Sequence, residues 1–127
     1  MKKYLGPGLA MLAGVALGAI GVSALNAQNS PPAYYIAEVF EVTDADTFKG
    51  YASAVPATVE KYGGRYLARG GKTQANEGDP PARIIVIAFK GMADAQKWYS
   101  SPEYSAIKPI RQRSARARNF IVEGVAE

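Results

Sequence analysis

The chain predicts a two-layer α+β domain with the element order β-α-β-β-α-β, and three observations carry that prediction. Short runs rich in aromatic and β-branched residues alternate with longer runs of helical spacing. Two glycine pairs bracket one short strand, in Gly63-Gly64-Arg65-Tyr66-Leu67-Ala68-Arg69-Gly70-Gly71. Cap and turn residues fall where the runs meet.

Residues 33–42 are dominated by aromatic and β-branched side chains and read as the first strand, apolar on both alternating faces. Asp44 is a good N-cap for a helix in which Phe48, Tyr51, Ala52, Val55, Val59 and Tyr62 form one apolar stripe. Pro56 lies inside that stripe and is expected to kink or split the helix. The first glycine pair ends it, since glycine takes the left-handed backbone at no steric cost. Residues 65–69 form the second strand. A loop over residues 70–82 follows, with Glu77-Gly78-Asp79-Pro80-Pro81 as its turn chemistry. Residues 83–89 are almost continuously apolar, as a central strand requires. Gly91-Met92 opens a short helix carrying Ala95, Trp98 and Tyr99. Ser101-Pro102-Glu103 starts another, with a serine cap, proline at the first position and an acid in the first turn. This last helix is expected to run toward Arg118, disturbed at Pro109, with the final strand over residues 119–125.

The order is that of the split βαβ, or ferredoxin-like, fold with a four-stranded antiparallel sheet. Helices cover only one face of such a sheet, yet the first and third strands are apolar on both. A second copy of the chain is the expected cover, giving a homodimer with sheets facing each other.

The domain is expected over residues 31–127, and residues 1–30 read as targeting. Met1-Lys2-Lys3 is basic, and residues 4–25 are uncharged and rich in Leu, Ala, Val and Gly. Val22-Ser23-Ala24 fits a signal-peptidase site, and Leu25-Asn26-Ala27 fits less well. The run also reaches the roughly 20 residues of a membrane span, so residues 4–25 are either a cleaved signal or an inner-membrane anchor. Both readings put the domain outside the cytoplasm, periplasmic or secreted, and only the second gives it a membrane contact.

Cysteine and histidine are both missing from the chain. That removes disulfides, the commonest metal ligand and the commonest general base. No acidic loop has calcium-binding spacing, and no dinucleotide or nucleophile motif is present. Gly70-Gly71-Lys72-Thr73 lacks the earlier glycine and following helix of a phosphate loop. No cofactor and no metal are therefore expected. The formal charge is +4; without Lys2 and Lys3, 13 basic and 11 acidic residues remain, which is no nucleic-acid footprint.

Tyr34-Tyr35, the glycine-bracketed strand, the apolar run over 83–89, Trp98 with Ser101-Pro102-Glu103-Tyr104, and Phe120-Ile121-Val122-Glu123-Gly124 together resemble the domain-of-unknown-function 1330 family over about residues 33–125. The resemblance implies the dimeric α+β barrel superfamily, which also holds antibiotic-biosynthesis-type monooxygenases, stress-response barrel proteins and muconolactone isomerases. It implies no settled reaction. Members of the wider group often bind small organic molecules between sheet and helices.

Three constellations are candidates for chemistry. Arg69 ends the second strand and Arg83 starts the third, its antiparallel neighbour. Paired guanidinium forks beside a glycine turn suit a carboxylate, phosphate or enolate oxygen; the plainer alternative is that each pairs with Glu77 or Asp79 and pins the loop. Glu38 and Glu123 sit in apolar strands expected to be adjacent, where a carboxylate can gain a raised pKa and act as acid or base; the alternative is a salt bridge across the dimer. Lys108, Arg111, Arg113, Arg116 and Arg118 follow. Arg111 and Arg118, with Tyr104 and Ile107, share one face of the expected long helix, against a plain solvated basic face or a surface for anionic lipid. The tyrosines and Trp98 fit core positions.

Three functions fit these residues. One is a binding module for a small organic anion, using Arg69, Arg83, Tyr104 and Arg111. A second is a cofactor-independent isomerase or monooxygenase-like enzyme, with Glu38 as base and Arg69 or Tyr104 stabilising an enolate. The third is a purely structural assembly dimer.

Overall fold

Strand β1 (Ala33–Val42) occupies the interior of a four-stranded sheet of order β2-β3-β1-β4 in the computed structural model, which describes residues 30–126. Every neighbouring pair is antiparallel. The other strands are β2 (Arg65–Arg69), β3 (Arg83–Phe89) and β4 (Ala115–Glu123), and the helices are α1 (Ala45–Lys61), α2 (Met92–Tyr99) and α3 (Pro102–Ser114). This is the expected ferredoxin-like arrangement, within a unit spanning Pro31–Val125. The expected leader lies outside the described residues except for Ser30. Among the described residues no helix is long and apolar enough to cross a membrane.

Local chemistry sets the element ends. The Asp44 carboxylate accepts from the Thr47 backbone N–H at 3.1 Å and from its hydroxyl at 2.7 Å, capping α1. Gly63 leaves α1 at φ +79°, a conformation open to glycine at no cost. Ser101 Oγ accepts from the Tyr104 N–H at 3.1 Å and donates to the Trp98 carbonyl at 2.7 Å, which joins the end of α2 to the start of α3.

Two expectations about the helices are corrected. Helix α1 runs through Pro56 without splitting. The carbonyl that a residue-56 N–H would have met, Ala52 O, accepts instead from Arg69 Nη2 at 3.3 Å. The last helix stops at Ser114 rather than running toward Arg118, and β4 begins at Ala115 rather than Asn119. The Ser114 carbonyl accepts from the Thr43 and Asp44 N–H groups at 2.8 and 3.2 Å, so the chain turns there. From Ala115 onward, small or apolar side chains alternate with exposed ones, as in Ala115-Arg116-Ala117-Arg118, and the run pairs with β1. Arg116 and Arg118 are therefore strand residues, and Arg111 and Arg118 share no helix face.

The core lies between the helices and one sheet face. Strand β1 sends Ala33, Tyr35, Ala37 and Val39 into it, β3 sends Ile87 and Phe89, and the helices add Phe48, Tyr51, Val55, Val59, Trp98 and Tyr104. Trp98 is fully buried, 4.4 Å from the Tyr104 ring centre, and its Nε1 donates to Thr58 Oγ1 at 3.0 Å. The opposite face carries Ile36 beside Val86 and Phe120, and Glu38 beside Ile84 and Arg118. Phe120 and Val122 are 46% and 42% exposed there.

Candidate functional site

A cleft opens between the helix-covered sheet face and α1, where Ala37 and Ala52 stand at positions that larger side chains would fill. Counted out into solvent at its mouth, it spans about 460 Å³, which bounds any occupant to a small molecule. Its walls are aliphatic and aromatic: Val39, Phe48, Val55, Ile85 and Ile87. Its polar lining consists of three arginines, Arg69, Arg83 and Arg111, and three tyrosines, Tyr35, Tyr51 and Tyr66. No carboxylate lines it.

Strand register brings Arg69 and Arg83 to the same end. Arg69 pairs with Ile85, two residues along β3 from Arg83. The Arg69 guanidinium lies 4.9 Å from the Tyr66 ring centre and that of Arg83 lies 6.0 Å from Phe48. Gly70, at φ +69°, lets Arg83 lie against the turn: a Cβ there would sit 3.1 Å from the guanidinium carbon.

Arg111 reaches the cleft from α3 and is 6% exposed. Its Nε has no hydrogen-bond partner, and neither does the hydroxyl of Tyr35, which is 2% exposed. Tyr51 and Tyr104 satisfy each other, their hydroxyls 2.7 Å apart. Burial, reinforced by the neighbouring phenols, drives Tyr35 and Tyr51 well above the ordinary phenol range. Burial also raises Tyr66, against the opposing pull of Arg69. All three are neutral donors at physiological pH. Burial pulls the Arg111 guanidinium down, but the oxygens of Tyr104, Tyr35 and Tyr51 outweigh it and leave it raised.

Of the residues expected to bind ligand, the fold brings Arg69, Arg83 and Arg111 together, and Tyr104 sits directly behind Tyr51. Among the described residues, the ion pairs are Lys61–Glu103, Arg116–Glu41 and Arg118–Glu38, so Glu77 and Asp79 do not neutralise the cleft arginines. Glu38 is not in the cleft. Inward residues of β1 are odd-numbered, so Glu38 faces the opposite side, where it pairs with Arg118. Glu123 pairs in register with Ala33, five positions along β1 from Glu38, and the two carboxylates are not neighbours. Tyr35, Tyr51 and Tyr66 enter the site although their spacing reads simply as core. The available signal was the residue type: a phenol on an inward position brings an oxygen that phenylalanine would not.

Fold and cleft together define a ferredoxin-like α+β domain with a cationic small-molecule site between sheet and helices. The sequence profile of the domain of unknown function DUF1330 matches residues 32–125, and the chain belongs to that family. No curated protein matches it in sequence. Several solved structures share the fold. A protein of unknown function from Rhodopseudomonas palustris is 15% identical, with TM-score 0.62, over 84% of this chain and 94% of that one. SnoaB, a cofactor-independent oxygenase from Streptomyces nogalater, is 5% identical, with TM-score 0.55, over 73% and 92%. A dimeric ferredoxin-like protein of unknown function from Thermobifida fusca is 15% identical, with TM-score 0.54, over 74% and 92%.

Proposed function

We propose that this domain is a homodimeric binding protein for a small organic anion with an apolar body, working outside the cytoplasm. One observation carries the reading: three guanidinium groups and no carboxylate line an otherwise apolar cleft. A cation held in apolar surroundings is costly unless an anion joins it. Arginine also presents paired donors that match a carboxylate or enolate.

The dimer is supported by the apolar outer sheet face and by the description of the Thermobifida fusca relative as dimeric. The location is supported by the lysine-led apolar run at residues 1–25. The oxygenase among the fold relatives favours a second reading, a cofactor-independent enzyme. The cleft supplies donors for such a reaction in Arg111 and Tyr35, but a base from outside its lining would be needed, and Glu38 faces away.

Native mass spectrometry of the protein purified from its own cells, without added ligand, tests the binding reading. The expected result is a dimer with a reproducible small adduct that is lost in Arg83→Ala and kept in Arg118→Ala. An adduct-free dimer, together with no binding of benzoate or octanoate at millimolar concentration, would favour the structural assembly dimer instead.

A further inference from the structure

The polar groups of the cleft lie in two separate sets with apolar walls between them. Along β1, Val39 pairs with Arg83 and Tyr35 pairs with Ile87. Those rows are four residues apart, about 13 Å along a strand. Arg69 and Arg83 belong to the outer set: Arg69 is exposed and Arg83 half-buried. Arg111 and Tyr35 belong to the inner set, 6% and 2% exposed. Ala37, Ile85 and Val55 line the stretch between.

The inner set is incomplete in a specific way. Arg111 Nε–H and the Tyr35 hydroxyl are both buried, both aimed into the cleft, and both without a hydrogen-bond partner. A buried unpaired donor is costly, and a charged one more so. Tyr51 and Tyr104 cannot supply the missing charge, since they are phenols bonded to each other. The lining contains no carboxylate to do so. An acceptor oxygen with negative charge, placed between Arg111 and Tyr35, would satisfy both at once.

We propose that the natural ligand of this site is two-headed: one anionic group held by Arg69 and Arg83 at the mouth, an apolar middle, and a second oxyanion held by Arg111 and Tyr35 at the floor. The inference rests on the anion-binding reading above and narrows it to dicarboxylates and acids with a distal enolate or phenolate oxygen. Neither head can be replaced by an alkyl terminus without leaving one set of donors unmatched.

Isothermal titration of the full-length dimer with dicarboxylates from succinate to suberate, each against the monocarboxylate of equal carbon number, tests it. At the best-fitting length the diacid binds on the order of tenfold or more tightly than its monoacid, the worth of one charge-assisted hydrogen bond set. Tyr35→Phe, a change that retains the ring, and Arg69→Ala, at an exposed position, each reduce that advantage to less than about threefold. Equal binding of monoacids and diacids at every length would overturn the two-headed ligand while leaving the single-anion reading in place. A diacid advantage that survives both substitutions would also overturn it. Failure of both series to bind would remove the anion reading itself.

Discussion

On the open face of the sheet Arg118 pairs with Glu38 and Arg116 with Glu41, whereas on the helix-covered face Arg69, Arg83 and Arg111 line a cleft that holds no carboxylate. The same side chain is used in two ways. Paired arginines at 66–69% side-chain exposure contribute little energy, and their effect is to fix which positions face each other across β1 and β4. The Arg111 side chain, buried and without a counter-ion, is not explained by packing alone. The contrast shows where an occupant is missing, and it separates arginines that complete the fold from arginines that wait for something.

The largest expected effect breaks the comparison from the outer side. If a second copy covers the open face, Phe120, 46% exposed and paired in register with Ile36, sits inside that interface. Phe120→Asp then weakens association by at least about thirtyfold, as loss of a central aromatic anchor does. Sedimentation velocity reads this directly, with circular dichroism to confirm that the monomer stays folded. A Phe120→Asp protein that sediments as the wild-type dimer would place the second copy elsewhere and leave the apolar face without its cover.

Much of this contrast was legible from the chain. Period-two alternation that sends Tyr35, Ala37 and Val39 inward also sends Glu38 outward, so parity alone separates Glu38 from the cleft. Arg69 and Arg83 could be paired because adjacent antiparallel strands joined by one loop bring their facing ends together. The fate of Arg116 and Arg118 was harder to read. Arginine is a good helix former, and the run from Lys108 continues a helical composition past Ser114. What decides it is pairing with β1, some eighty residues earlier, which no local propensity contains. The meeting of Arg111 with Tyr35 depends on how α3 seats on the sheet, which is likewise a tertiary quantity.

Two conservative tyrosine changes sharpen the comparison inside the cleft. Tyr51→Phe removes one member of the buried 2.7 Å hydroxyl pair and leaves Tyr104 Oη without its partner. The expected loss of unfolding free energy is about 1–3 kcal/mol. Tyr35→Phe removes a hydroxyl that has no partner, so the ligand-free protein should keep its stability to within about 1 kcal/mol. Urea denaturation of the two variants measures the difference. Equal, substantial losses would mean that the Tyr35 hydroxyl already serves the fold, and the argument for a waiting donor at the floor would fail.

The smallest effect concerns a cation that is already paired. Lys61 Nζ donates to Glu103, as does the Tyr62 hydroxyl at 2.7 Å, tying the end of α1 to the start of α3. These hydrogen bonds, Lys61 first, lower the Glu103 carboxyl from 4.5 to about 2. A depressed carboxyl pKa contributes stability that is complete above 4.5 and lost as pH falls toward 2. The stability gap between wild type and Glu103→Gln should therefore be widest above pH 4.5 and close as the pH approaches 2. It should also shrink at high salt, because the pair is open to solvent, Lys61 at 60% exposure. The cleft offers no matching titration in that window, because no carboxylate lines it. Any acid-dependent step in ligand binding between pH 5 and pH 2 that survives in Glu103→Gln should therefore follow the pKa of the ligand's own acid groups. A step that stays at one pH across ligands of different acidity would point to a protein carboxylate reaching the site.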